Sequence, residues 1–475
     1  MRFPLLGKTI ALGAVTLSLV WALASVSGIV AERQGRLREA QRNVADSLAT
    51  SQSLLGPVLQ RTCSEKWDTQ QGEGKDRKTV TEQREFTLLA VPRKLTAEAS
   101  AQTEPRYRGI FRINGFVLKA TLTAEWPDLN ALQPKRQHDG SRLSCNSPVL
   151  WVVVSDTRGI RSAHVTLQDR ERDVLPAGSS PSLGHGFQAT LPEATASDAG
   201  PVRANITLEL AGTESFAFAP VGETTQLRLT SDWPHPSFNG RFLPADREVT
   251  TTGFEASWRV SALASRAPQQ DLLEGHALCR PDVPVTSAPA TPAQRCIETF
   301  GVTFMDPVSP YLLSDRATKY GLLFVALTFV AVALVEVMRR LRVHPVQYLL
   351  VGCALTLFFL LLVSLSEHVP FSWAYLVASG ACTALLTFYG AYVLRGVRAG
   401  LFFGAGVGLL YGALYVLLLR EQTALVLGTV LLFVVLATVM VVTRKLDWYG
   451  LLAQMRSEAY DPANFSRAKQ NNTPP

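Results

Sequence analysis

The sequence predicts a membrane α-helical protein of six spans that carries an inserted β-rich, antiparallel, sandwich-like domain. Three observations predict it. Between Tyr320 and Val442 lie five separate apolar runs, each near the length of about 20 residues that crosses a bilayer as a helix. A sixth run, Thr9 to Val30, stands far upstream. The long polar stretch between the first and second runs alternates apolar and polar residues with period two. The overall apolar fraction of 47% conceals this split between a Leu/Val/Phe-rich C-terminal third and an ordinary polar segment.

The first run has two readings. Small-residue pairs at Ala22–Ala24 and Ser25–Ser27 suit a signal peptidase, but the stretch exceeds the 7–15 residues, roughly, of a signal-peptide core. An uncleaved anchor over residues 1–30 is the expectation. From 31 to 56 the spacing of Leu37, Val44 and Leu48 among Arg, Glu and Gln predicts a stalk helix, stopped by Gly56-Pro57. Residues 57–319 form the inserted β-rich domain, 320–449 a block of five membrane helices, and 450–475 a polar tail. Thr69 to Thr81, rich in Gly and Lys, reads as a loop.

Within the inserted domain, Phe116, Leu118, Ala120, Leu122, Ala124 and Trp126 share one strand face. Ala204, Ile206, Leu208 and Leu210 repeat the pattern, as do Phe254, Ala256, Trp258 and Val260. Strands buried on one face belong to antiparallel sheets, and no helical run separates them. Four cysteines, Cys63, Cys145, Cys279 and Cys296, fall in this domain and allow three pairings. Cys279 and Cys296 flank the Pro/Ala-rich stretch from Pro268 to Pro292 and suit a local bridge, which leaves Cys63 with Cys145. Zinc is the alternative, but neither a C-x-x-C nor a neighbouring His pair supports a metal.

The spans are expected at Tyr320–Val337, Val346–Leu365, Phe371–Leu394, Leu401–Leu419 and Ala424–Val442. Gly404, Gly406, Gly408 and Gly412 mark the fifth span overall as a packing face. Basic residues orient the chain. Arg339, Arg340 and Arg342 follow the second span, Arg395 and Arg398 the fourth, and Arg444 and Lys445 the sixth. The alternate loops hold only Arg420, so the positive-inside rule sets both termini in the cytoplasm and the large domain in the periplasm. Arg33, Arg36, Arg38 and Arg42 oppose the rule, which long translocated domains override. The net charge of +7 therefore reflects juxtamembrane clusters, and a nucleic-acid partner is not expected.

Two clusters are candidate sites. Asp232, Trp233, His235 and Phe238 lie in a stretch stiffened by Pro234 and Pro236, which reads as a corner around a buried Trp or as an interaction loop. Asp232, His235 and Ser237 contain the residue types of a catalytic triad, but so few positions on an extended chain would splay them apart. Asp315, Arg316 and Lys319, before the second span, and Glu367 and His368, between the third and fourth, are candidates for coupling at the membrane interface. Ser314 is placed to cap the second span, and Glu336 to pair with Arg339 and Arg340. No P-loop, Rossmann glycine pattern, HExxH or nucleophile elbow occurs, and no cofactor is expected.

Several strings stand out together: Leu229-Thr230-Ser231-Asp232-Trp233-Pro234-His235-Pro236-Ser237-Phe238, Ser314-Asp315-Arg316-Ala317-Thr318-Lys319-Tyr320, Leu365-Ser366-Glu367-His368 and Asp447-Trp448-Tyr449. In their order the chain resembles the CreD inner-membrane protein family of Gram-negative bacteria, from the first span to about Tyr449. The resemblance implies a role in cell-envelope integrity and envelope stress under a two-component regulatory system, with no catalytic residue to carry over. The Pro/Ala stretch with Cys279 and Cys296, and the tail after Gly450, depart from the family pattern. The expectation is a non-enzymatic protein of the bilayer whose periplasmic domain contacts an unidentified envelope component. A transporter or signal-transducing sensor built on the five-helix block is the alternative, and a periplasmic hydrolase a third.

Overall fold

The computed structural model describes residues 4–71, 78–109, 111–180, 184–192, 200–265, 272–276, 278–279, 296–305, 310–339, 343–420 and 423–444. The chain divides into two compact units, Leu37–Pro307 and the combination of Met1–Arg36 with Val308–Pro475.

The first helix, α1 (Pro4–Ser47), contributes to both units. It ends ahead of Gly56-Pro57, so the stalk is shorter than the sequence suggests. The following strand claims that dipeptide instead. β1 (Gln52–Gln71) takes a register shift between Leu55 and Val58, and Gly56 (φ +112°) sits there with a hypothetical Cβ only 2.9 Å from the Trp151 carbonyl oxygen. A bulge is where a strand tolerates Pro, because the missing N–H is not needed by the ladder.

Then come β2 (Lys78–Ala90), β3 (Lys94–Arg108), β4 (Phe111–Trp126), β5 (Arg142–Cys145), β6 (Val149–Val154), β7 (Ile160–Leu167), β8 (Arg170–Arg172), β9 (Leu175–Ser180) and β10 (Gly184–Thr190). β11 (Val202–Thr213), β12 (Ser215–Ala219), β13 (Thr224–Ser231), β14 (Pro236–Gly240), β15 (Asp246–Thr250), β16 (Gly253–Ser261) and β17 (Phe300–Phe304) complete the domain. They form two sheets. One has the order β14-β17-β12-β1-β6-β10-β9, with β2 and β5 also paired to β1; the other runs β15-β16-β13-β3-β4-β11-β7-β8. Most pairs are antiparallel, but β1 with β12 and β3 with β13 are parallel, so both sheets are mixed.

The alternation in β4, β11 and β16 buries the faces the sequence marks. Leu122, Trp126, Ile206 and Trp258 join Val58, Leu150, Phe218 and Phe300 of the other sheet in one core. Two strands of that second sheet depart from the one-faced pattern: every residue of β12, and all but the first of β6, is buried. Such strands read as short continuous apolar runs, which periodicity does not resolve. Thr69–Gln71 and Lys78–Thr81 are strand rather than loop, paired as Thr69 with Val80 and Gln71 with Lys78. The hairpin residues from Lys78 to Arg84 are all solvated or nearly so, and therefore show no apolar alternation.

The membrane block comprises α2 (Pro310–Arg339), α3 (Pro345–Ser366), α4 (Phe371–Val393), α5 (Val397–Leu419) and α6 (Ala424–Thr443). With α1, six helices among the described residues are long and apolar enough to span. α2 starts well before Tyr320, so Ser314 lies inside the helix, buried, and does not cap it. Phe324, Phe358, Phe359, Leu362, Tyr375 and Tyr411 form the block's core. On α5 the contact row is Gly400, Gly404 and Gly408: added Cβ atoms at Gly400 and Gly404 would overlap Ala391 and Thr387 of α4. Gly406 and Gly412 face open space instead.

Trp126 is 1% exposed, and its indole N–H donates to the Ala90 carbonyl at 3.1 Å. Trp126→Ala is expected to destabilise the domain by about 3–5 kcal/mol. Urea titration of the full chain in detergent, followed by far-UV circular dichroism, measures this; a change under about 1 kcal/mol would contradict the placement of Trp126 at the centre of the core.

Candidate functional site

The Asp232–Phe238 stretch is where the chain changes sheets. β13 ends at Ser231 in the eight-stranded sheet, and β14 begins at Pro236 in the nine-stranded one. Trp233 plugs the crossing. Its indole N–H donates to the carbonyls of both His235 (3.1 Å) and Met305 (3.0 Å), which ties the crossing to the end of β17. Phe238 turns inward, edge-on to Phe254 and Trp258 at 5.5 and 5.8 Å between ring centres. Asp232 accepts from the Thr103 N–H at 3.0 Å, and the Ser231 hydroxyl oxygen accepts from the Trp233 N–H at 3.2 Å. Pro234 suits the stretch between the two strands, where N–H groups have no ladder to join, and Pro236 opens β14 opposite Phe304, at a strand's first position, which tolerates proline. Of the four candidate corner residues, Asp232 and His235 are exposed, and the two aromatic residues are packed. Ser237 pairs with Thr303 in the sheet, and no hydrogen bond among the described residues links Asp232, His235 and Ser237.

The interface candidates separate into distinct roles. Half-buried Asp315 and exposed Lys319 form an i,i+4 pair at 2.7 Å on α2, and Arg316 is half-buried next to Asp315 in sequence. Glu367, at the end of α3, receives Arg33 of α1 at 3.2 Å, with its side chain 9% exposed. The Gln34 side chain adds a bond to the Tyr311 carbonyl at 3.4 Å. His368 points elsewhere: it is exposed, with Nδ1 3.3 Å from the Ser364 carbonyl. Glu336 accepts from Tyr348 Oη (2.8 Å) and the Val343 N–H (3.1 Å), while Arg340 and the Arg339 side chain lie outside the described residues. In the block's interior Tyr375 donates to the Tyr411 carbonyl at 2.6 Å, and Tyr411 reaches Cys382 Sγ at 3.1 Å.

A third cluster carries no signal in the local pattern. Glu65 of β1 is fully buried, and one carboxylate oxygen accepts from Ser141 Oγ (2.7 Å), the Gln137 N–H (2.9 Å) and the His138 N–H (3.1 Å). The Ser141 hydrogen bond, followed by those two backbone donors against the opposing effect of burial, holds the carboxyl down at about 2 from its ordinary 4.5. His138 stacks on Trp67 with ring centres 4.0 Å apart. Cys63, two residues before Glu65, is bonded to Cys145 (S–S 2.07 Å), and Cys279 is bonded to Cys296 (1.96 Å). Asp156 makes a comparable clamp, accepting from Thr50 N–H (3.0 Å) and Arg158 Nη2 (2.7 Å) where α1 gives way to β1. Among the described residues, no group of three His, Cys, Asp or Glu is arranged to hold a metal ion.

Residues 4–449 match the sequence profile of the family described as Inner membrane protein CreD. The chain belongs to the CreD family. It is 32% identical over 451 residues to the Inner membrane protein CreD of Escherichia coli K12, covering 95% of each chain. With six helices long and apolar enough to span among the described residues, it is a multi-pass inner-membrane protein. A solved mutant M1 zinc metallopeptidase from Deinococcus radiodurans, bound to a Tyr-Ser-Ala substrate, aligns with 36% of this chain and 38% of its own at 12% identity and a TM-score of 0.19. A second structure of that peptidase aligns at 11% identity and a TM-score of 0.18. Likenesses of that order bear on neither fold nor chemistry.

In this CreD-family chain the motif residues serve first as joints. Trp233→Phe keeps the ring in the crossing but removes the donor shared by two carbonyls, at an expected cost of about 1–3 kcal/mol. An unchanged denaturation midpoint would show that the indole N–H carries no weight. The Glu65 carboxyl is depressed on folding, so its stabilisation is complete above about 4.5 and is lost as pH falls toward 2. Ser141→Ala removes the leading cause, so the folded-state pKa rises and the acid loss becomes smaller and is complete at a higher pH. Unfolding free energies of the two full-length proteins between pH 2 and 6, roughly the span in which a carboxyl titrates, provide the comparison, and superimposable profiles would refute the assignment.

Proposed function

We propose that the Leu37–Pro307 domain faces the periplasm, with both chain termini in the cytoplasm, and that the protein supports envelope integrity and the envelope-stress response without catalysing a reaction. The observation that carries this reading is the placement of a large two-sheet domain between span one and span two, with the basic residues of the short loops at the opposite ends of the helices. The name of the Escherichia coli relative supports the inner-membrane part of the reading. The domain's candidate contact is a corner of its surface. Its motif residues are engaged in packing and internal hydrogen bonds, and Asp232 and His235 are the corner residues left toward an envelope partner.

The transport or sensing alternative draws less support. Of the block's acidic groups, Glu336 is hydrogen-bonded and Glu367 is ion-paired, each at a helix end rather than at mid-membrane.

Two measurements test the proposal. Alkaline phosphatase fused after Thr207 is expected to be active; an inactive fusion with a fluorescent cytosolic counterpart would reverse the orientation. In a strain lacking the gene, a chain with residues 52–305 replaced by a flexible linker is expected to reach the inner membrane and leave the envelope defect uncorrected. Full correction of detergent sensitivity by that shortened chain would remove the domain from the function.

A further inference from the structure

Three helices of the membrane block do not close on one another. α2, α5 and α6 bound a cleft of about 510 Å³, lined by residues such as Ala331, Val335, Phe403, Gly406, Ala413 and Val435. Sites for small molecules commonly run from about 300 to 1,000 Å³. Gly406 leaves room here, since nothing lies within 4 Å of where its Cβ would stand. The walls are apolar almost throughout. Water gains no hydrogen bonds in such a space, and leaving it empty forfeits dispersion contacts along every wall.

The cleft reaches one end of the block. Val335 near the end of α2, Leu394 after α4, Ala399 in the first turn of α5 and Val439 near the end of α6 all line it. Arg395 and Arg398 adjoin the lining residues Leu394 and Ala399, and both are exposed. Neither has an acidic partner among the described residues. The one described acid at that end, Glu336, is occupied by Tyr348 and the Val343 N–H. An apolar slot within the bilayer therefore opens at the end of the block that carries Arg395 and Arg398, two guanidinium groups without an acidic partner among the described residues. Basic pockets between membrane helices are the kind of site that holds anionic lipid headgroups, and guanidinium matches phosphate in geometry as well as charge.

We propose that this cleft binds an anionic phospholipid of the surrounding bilayer, with one acyl chain between α2, α5 and α6 and its phosphate held by Arg395 and Arg398. The lipid completes the packing of α6, whose spanning window has no buried residue in the chain alone. The site uses only the helix block and does not depend on which side of the membrane the other domain occupies.

The test uses the full chain in proteoliposomes of phosphatidylethanolamine containing a trace of phosphatidylglycerol that carries a diazirine on its acyl chain. Labelling is expected on peptides containing Phe403–Ala413 and Leu431–Val439. An equally labelled phosphatidylethanolamine probe should react with them roughly thirtyfold less, the scale set by two basic residues at an anionic headgroup. The double variant Arg395→Gln/Arg398→Gln changes exposed residues only and should abolish that preference. Gly406→Leu should block labelling within the cleft for both probes. Equal labelling by both probes, unaffected by the arginine variant, would reduce the site to ordinary boundary lipid and overturn the proposal. Labelling confined to the outward residues Phe433 and Leu436 would do the same, as would displacement of the probe by excess inorganic phosphate.

Discussion

A backbone that crosses hydrocarbon must satisfy its N–H and C=O groups within itself, because nothing around it can. That constraint divides this chain. The segments able to cross become helices whose polar side chains bond locally, as Thr328 does to the Phe324 carbonyl and Thr356 to Gly352. Everything else must find its hydrogen bonds between strands, in water or through side-chain clamps. The two units follow from this division, and so does the scarcity of charge in the spans. Where an acid remains at a helix end it is paired: Arg33 with Glu367 joins α1 to the end of α3 across the sequence. A half-buried pair of this kind contributes more to fixing a unique arrangement than to net stability, since desolvation offsets much of the attraction.

In the β-domain one strand organises the rest. β1 pairs with β12, β6, β5 and β2 along its length. Its first half is buried in the core and its second half runs out into a solvated hairpin with β2. Cys63 and Glu65 sit where one regime becomes the other. The Cys63–Cys145 bond holds β5 against β1, and the Glu65 carboxylate gathers N–H and O–H donors from the loop that precedes β5. The loop backbone gains acceptors it would otherwise lack, and the carboxylate gains compensation for burial. Each half of the arrangement makes the other tolerable.

How much of this was legible follows from what a local pattern can report. Hydropathy runs mark the spans because length and apolarity are properties of a single segment. Period-two alternation marks β4, β11 and β16, since each buries one face. The same reasoning fails for β6 and β12, buried on both faces, and for the solvated Lys78–Thr81 arm, buried on neither. Gly56-Pro57 looks like a helix stop because its two residues break helices, yet they serve equally well in a bulge. Glu65 and the Arg33–Glu367 pair could not be found from their neighbours in sequence. A buried charge is compensated by groups that only the fold brings near.

The corner at Asp232–Phe238 shows why a distinctive motif need not mark a contact surface. The chain must leave one sheet and enter the other across a packed core, which few residues allow. Two prolines limit the backbone and remove donors that would go unmet. An indole fills the gap and supplies one N–H to two carbonyls, and Phe238 seals the far side against Trp258. Those demands account for Trp233, Pro234, Pro236 and Phe238 without invoking a partner. Asp232 is partly accounted for by Thr103, whose N–H it accepts. His235 contributes only its carbonyl to the joint, so packing explains neither its exposed imidazole nor the rest of the exposed Asp232 carboxylate. The surface this corner offers to the proposed envelope contact is therefore a histidine ring and one edge of a carboxylate above the sheet crossing.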